Sequence, residues 1–103
     1  MSGTIVSRAS VATVRGARYG KQLVSHLGRK SVGVWDEASG SGTLDMGDSA
    51  AHVTLTSTTD ALVITIEAAD TDMAAYQDVV GRHLERFGER DGLRVQWVRS
   101  DAK

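Results

Sequence analysis

The sequence predicts an α+β fold in two layers. A largely antiparallel sheet of about six strands carries two helices on one face. Three observations lead there. Two segments, residues 15–30 and about 70–87, space their apolar residues at helical intervals, and a run of alternating segments separates them. The links between the alternating segments are short, which calls for antiparallel hairpins, since parallel strands need long crossovers. Helices with one apolar stripe and a sheet with one apolar face can bury both by stacking as layers. The expected order is β-α-β-β-β-β-α-β.

Each element has its own warrant. Residues 5–13 are rich in β-prone types and put Ala9 and Val11 on one face. Residues 15–30 switch to helical spacing, with Tyr19, Leu23, Val24 and Leu27 on one side. Arg18, Gln22 and His26 fall at i, i+4 and i+8 and form a polar stripe beside it. Gly28 is an end signal, and Arg29 and Lys30 suit the negative end of a helix. Val32–Asp36 reads as a strand, and residues 36–42 read as turn chemistry built from Asp, Ser and Gly in a chain without proline. Within that stretch Gly40-Ser41-Gly42 is expected to be a flexible turn. Thr43–Met46 and Ala51–Thr56 alternate, as does Leu62–Glu67, whose Leu62, Ile64 and Ile66 face the core. Thr58-Thr59-Asp60 is the turn between the last two. Asp70-Thr71-Asp72 offers caps and negative charge for the second helix, whose stripe is Met73, Tyr76, Val80, Leu84 and Phe87. Gly88 and Gly92 bracket its end. Residues 93–99 then read as a strongly alternating strand with Leu93, Val95 and Trp97 inward.

Composition bounds the function. A chain of 103 residues is expected to form a single domain over 1–103, with one modest core. The absence of cysteine excludes disulfides, thiolate metal sites and cysteine catalysis, and makes the cytoplasm the expected location. No run approaches eighteen apolar residues, so no membrane span is expected. The start, Met1-Ser2-Gly3-Thr4-Ile5-Val6, lacks the basic n-region and long apolar run of an export signal.

Charge is segregated along the chain. Residues 1–35 carry Arg8, Arg15, Arg18, Lys21, Arg29 and Lys30 and no acid, whereas residues 31–81 carry nine acids and neither Lys nor Arg. Such a division can attract an anion or an acidic protein, and it also lets the two halves attract each other. Nucleic-acid binding is not expected, because the net charge is −1 and three of the five aromatics, Tyr76, Phe87 and Trp97, lie on apolar faces.

Catalytic motifs are absent. Gly28-Arg29-Lys30-Ser31 resembles the tail of a phosphate loop, but Leu23 stands where the first glycine belongs. No serine sits in a Gly-x-Ser-x-Gly elbow. Asp36-Glu37 falls in an exposed turn and reads as solvated surface. His26, His52 and His83 are too far apart in sequence for any one element to present two metal ligands. His83 lies beside Tyr76, Val79 and Phe87, either as a core-edge histidine with one hydrogen bond or as an imidazole at a pocket rim. Arg82, Arg86 and Arg90 alternate with Glu85 and Glu89 and read as salt-bridged surface.

Two segments carry a family resemblance. Ala17-Arg18-Tyr19-Gly20-Lys21-Gln22-Leu23-Val24-Ser25-His26 and Val79-Val80-Gly81-Arg82-His83-Leu84-Glu85-Arg86-Phe87 resemble the two signatures of a small uncharacterised bacterial family, domain of unknown function 2218. The resemblance spans about residues 7–99. It implies a stand-alone α+β domain without a known activity. It also implies an association with flavoprotein reductases that interact with siderophores, and hence with iron acquisition. Gly20 and Gly88 depart from the family's bulkier residues, and glycine in a helix is expected to loosen packing there.

The family motifs coincide with the polar stripe on the first helix and with His83 and Arg86 on the second. If the helices lie side by side, Arg18, Lys21, Gln22, His26, His83 and Arg86 form a ligand-facing set, with no cofactor specified. Three functions fit. The first is a binding or accessory domain for iron-siderophore or haem handling, taking an anionic small ligand. The second is a small haem-degrading or ferric-reducing enzyme that relies on a partner for electrons. The third is a docking module for a siderophore-interacting flavoprotein reductase, or for a second copy through edge strands.

Overall fold

The computed structural model describes residues 4–29 and 31–100. The expectations for residues 1–3 and for Lys30 lie outside the described residues. The expected order holds. Strand β1 (Thr4–Ala12) leads to helix α1 (Gly16–Leu27), then to β2 (Val32–Asp36), β3 (Ser41–Met46), β4 (Ala51–Ser57) and β5 (Ala61–Ala69). Helix α2 (Asp70–Phe87), a 3-10 turn (Glu89–Asp91) and β6 (Val98–Ser100) follow. The six strands form one sheet in the order β2-β3-β4-β5-β1-β6, and every pair is antiparallel.

Strand alternation decides which face is covered. Ala9 and Val11 of β1, Leu44 and Met46 of β3, Val53 and Leu55 of β4, and Leu62, Ile64 and Ile66 of β5 are all buried. They form one core with Tyr19, Leu23 and Val24 of α1 and with Met73, Val80 and Leu84 of α2. The two helices therefore share one face of the sheet, α1 over β2–β5 and α2 over β5 and β1. Each buried aliphatic side chain contributes about 1.5–3 kcal/mol relative to exposure, so this layer holds the fold. The other face is open. Its rows run Val34, Thr43, Thr54, Thr65, Arg8, Val98 and Val32, Asp45, His52, Glu67, Val6 across the strands.

Helix α2 is fastened to β1 by a buried polar bond. Ser7 is fully buried, and its Oγ accepts a 2.6 Å hydrogen bond from the Gln77 amide nitrogen. The Gln77 oxygen accepts in turn from Arg99, which also meets Asp70 at 3.4 Å.

Four local expectations need correction. Residues 93–99 are not one strand, because only Val98–Ser100 pair, with Val6–Arg8 of β1. The alternation upstream is real but serves α2: Leu93 is buried, while Val95 and Trp97 are partly buried and lie beside Gly81. The Val95 N–H goes to the Glu85 carboxylate at 2.9 Å instead of to a strand. Second, Gly40-Ser41-Gly42 is not all turn. Gly40 takes the left-handed backbone (φ 67°), but Ser41 and Gly42 belong to β3. Third, Asp70-Thr71-Asp72 do not cap α2, since Ala69 is the N-cap and Asp70 and Asp72 sit in the first turn. They still put negative charge at the positive helix end. Fourth, Gly20 and Gly88 do not loosen the packing. A Cβ on Gly20 would lie 2.7 Å from the Trp35 ring, and one on Gly88 would lie 2.2 Å from Leu93. Each glycine makes room for a large side chain that fills the space.

Candidate functional site

The site grows from the meeting of α1 and α2. The apolar stripe of α1 turns Tyr19, Leu23 and Val24 into the core, which leaves Arg18, Gln22 and His26 along the flank nearest α2. On α2 the stripe that buries Val80 and Leu84 leaves His83, Arg86 and Phe87 along the facing flank. The two flanks form a seam with an aromatic end and a basic end.

At the aromatic end, the His26 and His83 rings lie 5.0 Å apart, centre to centre, tilted by 43°. Phe87 presents its ring edge-on to His26 at 5.4 Å and lies 6.3 Å from His83. His83 is partly buried, and its Nδ1 donates to the Val79 carbonyl at 2.7 Å. A neutral imidazole that donates through Nδ1 keeps its lone pair on Nε2. The hydrogen bond expected of a core-edge histidine is present at Nδ1, and no hydrogen bond to Nε2 is found among the described residues. His26 is exposed.

At the basic end, a cleft of about 520 Å³ is lined by Arg15, Arg18, Tyr19, Gln22, Arg86, Phe87, Glu89, Arg90 and Asp91. Four arginines and two acids, Glu89 and Asp91, are among them. Asp91, from the turn after α2, receives Arg15 at 3.0 and 3.2 Å through one guanidinium nitrogen and the Tyr19 hydroxyl at 2.5 Å. The Tyr19 hydrogen bond, helped by the charges of Arg15 and Arg18, holds the Asp91 carboxyl below its ordinary pKa. The same bond to an acceptor carboxylate raises the Tyr19 phenol above its ordinary value. Arg18, Arg86 and Arg90 make no salt bridge among the described residues. With Arg15 they outnumber the two acids of the cleft, Glu89 and Asp91, so its lining carries an excess of positive charge suited to carboxylate or phosphate oxygens.

The expected residues therefore divide. Arg18, Gln22 and Arg86 share the cleft, whereas His26 and His83 meet each other outside its lining, against Phe87. Lys21 does not join them. It lies on the β2 side of α1, where its Nζ pairs with Glu37. The expected salt-bridged stripe on α2 also divides. Arg82 pairs with Asp78 at 3.5 Å and Glu85 holds Val95, while Arg86 and Arg90 turn to the cleft. His52 sits on the open sheet face, 2.7 Å from Asp45, far from the seam in the strand order. Asp36-Glu37 are exposed, as expected, with Asp36 holding its own turn through Ala38 and Ser39. Sequence reasoning missed Arg15, Tyr19 and Arg90 as site residues. Tyr19 counted as core, and only its hydroxyl reaches the cleft. Arg90 belonged to a stripe that looked self-neutralised; Gly88 and Gly92 marked the helix end, but not the direction in which the chain leaves it.

Similarity to other proteins covers nearly all of this. The model of the family described as uncharacterised protein conserved in bacteria, DUF2218, matches residues 8–98. A search of the curated proteins found no match. The NMR structure of PA4090 from Pseudomonas aeruginosa is similar, with a TM-score of 0.71 and 27% identity, covering 95% of this chain and 99% of that one.

Proposed function

The chain belongs to the DUF2218 family of bacterial proteins, and we propose that it is a binding domain whose α1–α2 cleft takes a small polyanionic ligand. The single observation that carries this is the convergence of Arg15, Arg18, Arg86 and Arg90, of which only Arg15 is matched by an acid across a salt bridge. Clustered positive charge raises the energy of the free fold through mutual repulsion, and an anion relieves it. In this reading Arg18 and Arg86 hold carboxylates, and Gln22 in the same lining supplies a neutral donor and acceptor.

Within that class, the ligand is an iron chelate bearing carboxylates, such as haem or a ferric siderophore. Two imidazoles at the far end of the seam support this reading, since histidine nitrogen is a good ligand for iron while arginines take the acid groups. The protein is then an accessory in iron handling, passing its ligand to or from a redox partner. The one hydroxyl–carboxylate pair among the described residues of the cleft, Tyr19 with Asp91, has its phenol raised above the ordinary pKa, which disfavours the phenolate, and the reading is of binding.

Quenching of Trp35 and Trp97 fluorescence by haem and by carboxylate-bearing ferric siderophores tests this. Hydrogen bonds to charged groups are worth about 1.5–3 kcal/mol, so Arg18→Ala or Arg86→Ala is expected to weaken binding roughly ten- to hundredfold. His26→Ala is expected to weaken the iron complex and leave the iron-free chelator unchanged. Equal affinity for loaded and iron-free chelator would remove iron from the proposal, and indifference to both arginines would remove the cleft.

A second reading has its own observation. Val32 (66% exposed), Val34 (59%) and Val98 (70%) stand on the open sheet face. Val32 and Val34 are neighbours on the edge strand β2, with Val98 on the opposite edge, and an apolar pair beside an unpaired strand edge fits a protein-docking role. A concentration-dependent mass in light scattering, lost in Val34→Lys, would favour it.

A further inference from the structure

The iron reading gives the two imidazoles at the aromatic end of the seam to a chelated metal; the pair also has a chemistry that stands without that reading. We propose that His26 and His83 form a two-imidazole site for a nitrogen-preferring divalent metal ion of the zinc, nickel and copper class, independently of what the basic cleft holds.

Geometry supports the pair first. Two imidazoles that ligate one tetrahedral metal at N–metal distances of about 2.0–2.1 Å have ring centres roughly 5 Å apart. The His26 and His83 centres are 5.0 Å apart before any ion binds. The ligands come from two helices already packed on a common sheet, so binding requires little ordering of the backbone.

Tautomer supports it second. A metal-ligating histidine usually gives its other ring N–H to a carbonyl or carboxylate, which fixes the ring and directs the lone pair outward. His83 already does so, through Nδ1 to the Val79 carbonyl at 2.7 Å, one helical turn back. That bond leaves Nε2 as the ligating atom. Phe87 closes one side of the pair with its ring edge, which restricts how far either imidazole can turn away. His26 is exposed, so an ion can enter from solvent.

The donor set defines the ion. Imidazole nitrogen favours zinc, nickel and copper over magnesium and calcium, which prefer oxygen. Among the described residues no third histidine or carboxylate joins the pair in a metal-binding group. Two protein donors leave the other coordination positions to water or to an exogenous ligand, which describes an exchangeable site and not a structural one.

Zinc titration of the whole chain, with its histidine rings labelled with ¹⁵N, tests the proposal. The probe is zinc chloride alone, without any anion other than chloride. The His26 and His83 ring signals are expected to shift together and saturate at one equivalent, with His83 Nε2 showing the larger change of its two nitrogens. His26→Ala replaces an exposed side chain and keeps the fold, which the amide spectrum checks. It is expected to weaken zinc binding by at least about tenfold, since one of two ligands is gone. His52→Ala is expected to change nothing. Shifts confined to His52, unequal saturation of the two seam histidines, or unchanged affinity in His26→Ala would each overturn the proposal. Citrate binding in the absence of metal reads the basic cleft separately, so either idea can fail without the other.

Discussion

Trp35 shows how single residues set this fold. Its ring lies where a Cβ on Gly20 of α1 would be, at 2.7 Å, and where a Cβ on Gly42 of β3 would be, at 2.6 Å. Two glycines on different elements thus define one slot, and an aromatic from the edge strand β2 fills it. Seen only in the helix pattern, Gly20 is a weak point, because glycine costs roughly 1 kcal/mol in a helix interior. Seen with Trp35, it is the reason that β2 can close over α1. Gly20→Leu is therefore expected to destabilise the protein by about 1–3 kcal/mol through overpacking, despite the better helix propensity. In a Trp35→Ala background the same change should cost much less. A chemical-denaturation double-mutant cycle measures the coupling, and additive effects would show that the slot is not shared.

At the scale of elements, the Asp91 junction joins the start of α1 to the turn after α2. Arg15 and Tyr19 both reach the same carboxylate, so the polar contact ties two segments more than seventy residues apart. Its titration has a definite sign. Asp91 is held below its ordinary pKa of 3.8, so its contribution is present above that value and is lost as pH falls through the lowered one. Tyr19 is held above its ordinary 10.0, so its contribution is present below 10.0 and is lost as pH rises through the raised value. Asp91→Asn should flatten both ends of the stability profile, measured as melting temperature against pH, and Tyr19→Phe should flatten the alkaline end. A wild-type profile matched by Asp91→Asn at both ends would contradict the junction. The elements themselves were legible in the sequence because period 2 and period 3.6 separate cleanly in β4, β5, α1 and α2. Residues 93–97 were misread for a physical reason: alternation reports one buried face, and a segment lying on a helix buries one face as a strand does. Only the destination of the Val95 N–H, the Glu85 carboxylate, distinguishes the two.

For the molecule as a whole, the two layers explain why the site is a seam. The core fixes both helices on one face, and polar stripes beside each apolar stripe must then meet between them. That much followed from Arg18, Gln22 and His26 at four-residue spacing and from His83 and Arg86 on the second helix. Lys21 failed the same logic, because the residue one position before Gln22 points about 100° away, toward β2 and Glu37. Arg90 and the Tyr19 hydroxyl depend on how the chain turns after α2, where Gly92 takes the left-handed backbone (φ 66°) and Leu93 folds back to bond Gly88. No local pattern encodes that return. The segregation of charge along the chain has a partial outcome: Lys21 meets the acidic segment through Glu37, whereas Arg18 has no salt-bridge partner among the described residues.

The central claim is that the basic end of the seam is a polyanion site. Backbone amide shifts on titration with citrate, at low ionic strength, test it most directly. Saturable shifts are expected over residues 15–22 and 86–91, weakened by added salt and abolished in the Arg18→Ala, Arg86→Ala double variant. Shifts elsewhere, or a spectrum unmoved by citrate, would contradict it.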